Sequence, residues 1–254
     1  MPGTTLQEDC TAFTRIDGAF GKKTPTAAKG ALTFAGTHWP PRAKNTLKYR
    51  DVEYAIGEAR EMVIRAYMAA SGALRGAGDA EKMTRWFGAR NQKVGMGTSL
   101  PDWWEGARAI LGAVESFIVK AVAVYYRGDQ ALVGKPNDYP GRVGNLVQRD
   151  IDGYAESFSG AQNNIVGLCK LFFAKKTTTG QSKMNLRGKD SVGGTLIHEL
   201  SHNICGTDDH ETHDDSGTCY GTDGCLALAT NKASRAWYNA DNIEYFCEDV
   251  MYGI

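Results

Sequence analysis

An α+β fold, rich in helix and carrying a small sheet, is predicted by this 254-residue sequence. Apolar stripes at helical spacing fill residues 48–74, 80–87 and the stretch after Pro101. Short apolar runs near Gly153–Ser157 and Asn164–Cys169 read as strands. Helical patterning then returns over Ser191–Ile204, Gly224–Thr230 and Ala240–Met251.

Residues 1–45 are rich in Gly, Thr, Lys and Pro, show little periodicity and read as an irregular N-terminal arm; 46–254 is read as the domain. The arm either packs on the domain, acts as a pro-segment or links to a delivery module. In the first helix Val52, Ile56, Ala59, Val63, Ala66 and Tyr67 make one stripe. Gly88 stops the second. The third begins at Pro101, capped by Ser99 or Asp102, and buries Trp104, Ala107, Ile110, Leu111 and Val114. Phe117–Tyr126 either continues that helix or turns into a strand. Residues 128–150 read as loop, and Lys175–Lys189 as an exposed loop. No internal repeat is visible. Trp86, Trp103 and Trp104 read as core.

A chain of this length buries a proper core, in one domain or in one domain with an extension. Its formal net charge of zero gives no reason to expect nucleic acid or an anionic membrane as partner. The longest apolar run, around Phe117–Tyr126, is broken by Lys120 and too short to span a bilayer. The first ten residues hold no apolar signal core, so either a leader has been removed or export takes a non-classical route. The six cysteines, Cys10, Cys169, Cys205, Cys219, Cys225 and Cys247, fit three disulfides or six reduced thiols. Cys205 and Cys219 bracket one polar loop and form the first bridge to expect.

Four of the five histidines fall between His198 and His213. His198 and His202 are four apart, so on a helix both imidazoles face one metal ion. Glu199 sits one step round, beside the metal's open side. Two neutral nitrogens, a third ligand and a carboxylate that takes a proton from water suit metal-assisted peptide hydrolysis. Leu196, Ile197 and Leu200 bury the helix, and buried charge needs a partner such as a metal. The third ligand is one of Asp208, Asp209, His210 or His213, in a loop that Gly206 lets turn back. Were His210 or His213 a fourth ligand, the zinc site would be closed. The chain would then be a binding or toxin module acting by contact.

His198-Glu199-Leu200-Ser201-His202, then Gly206-Thr207-Asp208-Asp209, then Tyr220-Gly221, resembles the signature of the deuterolysin-type zinc peptidases, the aspzincins. The peptidyl-Lys metalloendopeptidases among them are the most similar. Arg85-Trp86-Phe87-Gly88, Ile165–Cys169 and Asn239–Phe246 (NADNxEYF) resemble further family segments in family order. The resemblance implies a zincin-like domain with one Zn2+ held by His198, His202 and Asp209. It makes Glu199 the general base and Tyr220 the donor to the oxyanion. It makes Asp241 and Glu244 the acids that receive a substrate lysine on the leaving-group side. It implies a secreted or exported peptidase acting on protein or peptide; the chain is expected to be a monomer, and the lack of an apolar signal core also fits an effector acting on a target-cell protein.

Two departures stand out. Ten residues separate Asp209 from Tyr220, where the family usually has two. The family counterpart of Cys169 pairs with an upstream cysteine, for which this chain offers only Cys10.

Overall fold

The computed structural model describes residues 15–16, 32–35, 47–90, 102–119, 122–127, 130–134, 155–160, 163–168, 191–210 and 221–254. Its helices are α1 (Leu47–Leu74), α2 (Ala80–Phe87), α3 (Trp103–Val119), α4 (Val192–Cys205), α5 (Gly221–Asn231), α6 (Ala233–Ala236) and α7 (Ala240–Tyr252). The strands β1 (Arg15–Ile16), β2 (Leu32–Ala35), β3 (Val122–Arg127), β4 (Gln130–Gly134), β5 (Ala155–Gly160) and β6 (Asn163–Leu168) form one sheet in the order β1-β2-β3-β4-β6-β5. Pairing is antiparallel except between β2 and β3, which run parallel.

The core lies among α1, α3, α4 and α7. Val52, Ile56, Ala59, Val63 and Ala66 are fully buried, so the periodic stripe of α1 is the face that meets the others. Trp86 and Trp104 are buried as expected, while Trp103 is half-buried. Asp102 is the cap of α3: its Oδ1 accepts from the backbone N–H groups of Trp104 and Glu105 at 3.1 and 3.4 Å. The helix therefore starts at Trp103, two residues later than Pro101.

The open choice over Phe117–Tyr126 resolves as both states. The helix runs to Val119, and a strand starts at Val122. Residues 130–134 correct the loop expected over 128–150: they form β4, paired along β3 from Arg127↔Gln130 to Ala123↔Gly134. Gly128-Asp129, which separate the two strands in sequence, are a two-residue hairpin signal that loop-like composition hid. Two strands also fall inside the first 45 residues, with β2 lying along β3 from Leu32↔Val122 to Ala35↔Tyr125. The expected loop over Lys175–Lys189 lies outside the described residues.

Helices α2 and α7 are tied by Asp249, almost wholly buried. It accepts from Trp86 Nε1 at 2.8 Å and pairs with Lys82 and Arg85, both at 3.0 Å. Three donors on one buried carboxylate meet the demand that buried charge be paired. Among the described residues no helix is long and apolar enough to cross a membrane.

Candidate metal centre

Helix α4 begins where buried acids meet its free N–H groups. Ser191 caps it, its Oγ accepting from Gly194 N at 2.8 Å. Glu58 of α1 accepts from Gly193 N at 2.8 Å and from the Tyr252 hydroxyl at 2.6 Å, while Glu248 of α7 accepts from Ser191 N at 2.5 Å. Negative charge is favourable there, because the helix dipole places partial positive charge at this end. Glycine is required at 193 and 194 by space. A Cβ on Gly193 would stand 2.9 Å from Ala59 N and 2.7 Å from Glu58 Cγ; one on Gly194 would stand 2.4 Å from Glu248 Oε1. These glycines let α1 and α7 close on α4.

The helix ends at Gly206, whose φ of 67° is the left-handed cap glycine adopts without penalty. Thr207 then folds back, its hydroxyl 2.7 Å from that of Ser201 and its carbonyl oxygen 2.5 Å from His202 Nδ1. Asp208 lies in a parallel bridge with Asn239: Asp208 N donates to Tyr238 O and Ala240 N to Asp208 O, both at 3.0 Å. His210 N donates to the Asn239 side chain at 2.9 Å. Asp209 is thereby held between two residues laced to the start of α7.

His198 Nε2 and His202 Nε2 lie 3.0 Å apart, and Asp209 Oδ1 lies 3.4 and 3.2 Å from them. Tetrahedral ligands about 2.0–2.1 Å from zinc are separated by about 3.3 Å, so the three atoms match one face of such a site. Both rings present Nε2. The Thr207 carbonyl only accepts, so His202 Nδ1 carries the proton and Nε2 keeps its lone pair. His198 Nδ1 lies 2.7 Å from Asp241 Oδ1 and 3.5 Å from Glu244 Oε2.

Burial pushes the His198 imidazole down, yet Asp241 and Glu244 hold it well above its ordinary range. Burial also pushes His202 down, and Asp209 more than reverses it. Imidazoles facing so many acids are basic, which suits a cation bound at Nε2. Glu199 follows His198 on the helix and is half-buried.

Of the three candidates for third ligand among the described residues, Asp209 is the one that meets the histidine pair. Asp208 is exposed, and the His210 ring lies tilted toward that of Tyr238, 6.3 Å between centroids. His213 and Tyr220 lie outside the described residues. Asp241 and Glu244 share one face of α7 as their spacing implies, but both are buried against His198. Cys205 is a free thiol, so the bridge expected to Cys219 is not made here; Cys225 and Cys247 are free and buried, and Cys10, Cys169 and Cys219 lie outside the described residues. Motif reading missed Thr207 as the partner of His202, and Glu58, Glu248 and Tyr252 as holders of the helix. Asn239 lay inside a quoted segment without a role.

Two imidazoles and a carboxylate converging on one point, with a glutamate beside the first imidazole, form a donor set that could hold a metal ion. The aspzincin family model, described as lysine-specific metallo-endopeptidase, matches residues 151–248. A peptidyl-Lys metalloendopeptidase of Armillaria mellea is 41% identical over 91 residues, 35% of this chain and 21% of that protein. One of Pleurotus ostreatus is 47% identical over 64 residues, 24% of this chain and 33% of that protein. An extracellular protease of Aeromonas hydrophila is 38% identical over 86 residues, 33% of this chain and 20% of that protein. The matched stretches thus span a third or less of these relatives. A solved zinc peptidase from Grifola frondosa aligns over 79% of this chain and 95% of its own, with 22% identity and a TM-score of 0.48. The resemblance to the aspzincins is therefore found by comparison as well as by motif.

Proposed function

We propose that this chain is a zinc-dependent endopeptidase. The observation that carries this reading is the convergence of His198 Nε2, His202 Nε2 and Asp209 Oδ1 one helical position from Glu199. These three residues would hold one zinc ion. When bound, zinc supplies Lewis-acid polarisation of water and of the scissile carbonyl.

Glu199 takes the proton of the attacking water and passes it to the leaving amine. Tyr220 donates a hydrogen bond to the developing oxyanion, a role supported by the motif alone. Asp241 and Glu244 make the leaving-group side acidic and favour lysine there. Support for that preference is their match to NADNxEYF and the names of the fungal relatives. Protein or peptide is the substrate. The extracellular protease among the relatives supports secretion or export.

Glu199→Gln is expected to keep its zinc and lose about 10²–10⁴-fold in the rate of casein cleavage. Parent-like cleavage by that variant overturns the mechanism. Mass spectrometry of the parent's products tests the preference: fragments beginning in lysine support it, and a random residue at that position removes it.

A further inference from the structure

We propose that Asn239 is a positioning residue of the metal centre, its side-chain amide setting Asp209 through the backbone of His210. The inference rests on the reading of Asp209 as third ligand, and names what puts that ligand in place.

His198 and His202 lie on one helix, so helix geometry sets their spacing. Asp209 comes from the segment beyond Gly206, and its place depends on what holds that segment. Before Asp209 the hold is backbone to backbone, from Asp208 N to Tyr238 O and from Ala240 N to Asp208 O. After it, His210 N donates to Asn239 Oδ1 at 2.9 Å. A parallel ladder continued by one step would send that N–H to the carbonyl of Ala240. Ala240 opens α7, however, and its carbonyl points along the helix. The amide oxygen of Asn239 stands in for it.

Asn239 occupies the capping position of α7, where an asparagine oxygen ordinarily accepts from the helix's own first N–H groups. Here its side chain makes no such bond. Asp102 and Ser191 do cap α3 and α4 in that way. The oxygen of Asn239 is thus diverted from its local use to the chain just after Asp209.

The amide is also aimed. Asn239 Nδ2 donates to Asn242 Oδ1 at 2.8 Å, and Asn242 Nδ2 donates to the carbonyls of Trp86 and Cys225 at 2.6 and 3.1 Å. Carbonyls only accept, so the nitrogen of Asn242 must face them and its oxygen must face Asn239. Asn239 is then fixed with its nitrogen toward Asn242 and its oxygen toward His210. Both amides are fully buried, where an unmade hydrogen bond is costly. The position of Asp209 is in this way referred to the end of α2 and to α5.

The test is zinc affinity, measured by competition with a chromophoric chelator on Asn239→Ala, Asp209→Ala and the double variant. It needs no substrate, so failure of the peptidase reading leaves it legible. Asn239→Ala is expected to weaken zinc binding by about 10–100-fold. Because Asn239 acts through Asp209, its replacement should weaken binding little further once Asp209 is alanine. His210→Ala keeps the N–H and should bind zinc within a few-fold of the parent. Parent-like affinity in Asn239→Ala overturns the proposal. So does a double variant in which the two losses multiply, which is the mark of general damage to the fold. Parent-like affinity in Asp209→Ala removes the ligand reading, and the proposal with it. Should Asn239→Ala fail to fold, Asn239→Ser is read by the same criteria.

Discussion

The two ends of α4 are built differently. At its N-terminus, Ser191, Gly193 and Gly194 are sealed between α1 and α7, and buried carboxylates satisfy the backbone. At its C-terminus the chain turns at exposed Gly206, and Asp209, about a third exposed, is held by a two-residue bridge. One end is fixed by packing that any substitution disturbs. The other is fixed by a few polar contacts and the ion it would bind. Fold and metal affinity should therefore respond to different changes, although fewer than twenty residues separate the two ends.

The largest effect tests the open end. Asp209→Ala removes a donor at a partly exposed position, so zinc affinity should fall by more than the ~10–100-fold typical of an outer partner. The urea midpoint of the metal-free protein should stay near the parent's. Asp208→Ala should do far less to zinc. Equal losses from the two substitutions, seen by metal analysis, would erase the distinction between them.

Next comes the sealed end. Gly193→Ala drives a methyl toward the backbone of Ala59, which cannot move without shifting α1. Overpacking of this kind costs about 1–3 kcal/mol, more than the ~1 kcal/mol alanine gains over glycine within a helix. A lower urea midpoint without metal is expected; an unchanged one would show that α1 and α4 separate freely.

The smallest effect is a pH slope. Burial, with Glu248 and Asp241 adding repulsion, outweighs the pull of His198 and pushes Glu244 up to about 8, from an ordinary 4.5. Its carboxyl therefore holds a proton in the fold that the unfolded chain has released. Glu244 contributes stability that is complete below pH 4.5 and fades as the pH rises toward 8. Denaturation of metal-free protein at pH 5 and pH 8 should show a fall across that window, smaller in Glu244→Gln. An identical slope in the variant would assign the titration elsewhere.

Local signals carried most of the helices. The boundaries of α1 and α2 fall at or within one residue of the expected positions, because apolar spacing and a terminal glycine act within one helix. The histidine pair was legible for the same reason. Asp209 was chosen among four neighbours only through the family resemblance. What selects it physically is the bridge to Asn239, thirty residues away. Glu58 reaches α4 from one end of the domain and takes a hydrogen bond from Tyr252 at the other, and no spacing rule connects them. Strand β4 was hidden by a composition of Gly, Pro and Asp around it.

His210 N and Gly221 N both donate to side chains at the start of α7, Asn239 and Asp241. The two donors that flank the intervening stretch in the chain are thus fixed to one helix start. Lengthening a tether whose ends are already pinned is cheap, about 0.6 kcal/mol for each doubling. Insertions between these two anchors are accordingly expected to cost little stability. Variation in that span can accumulate while the donors on either side keep their stations.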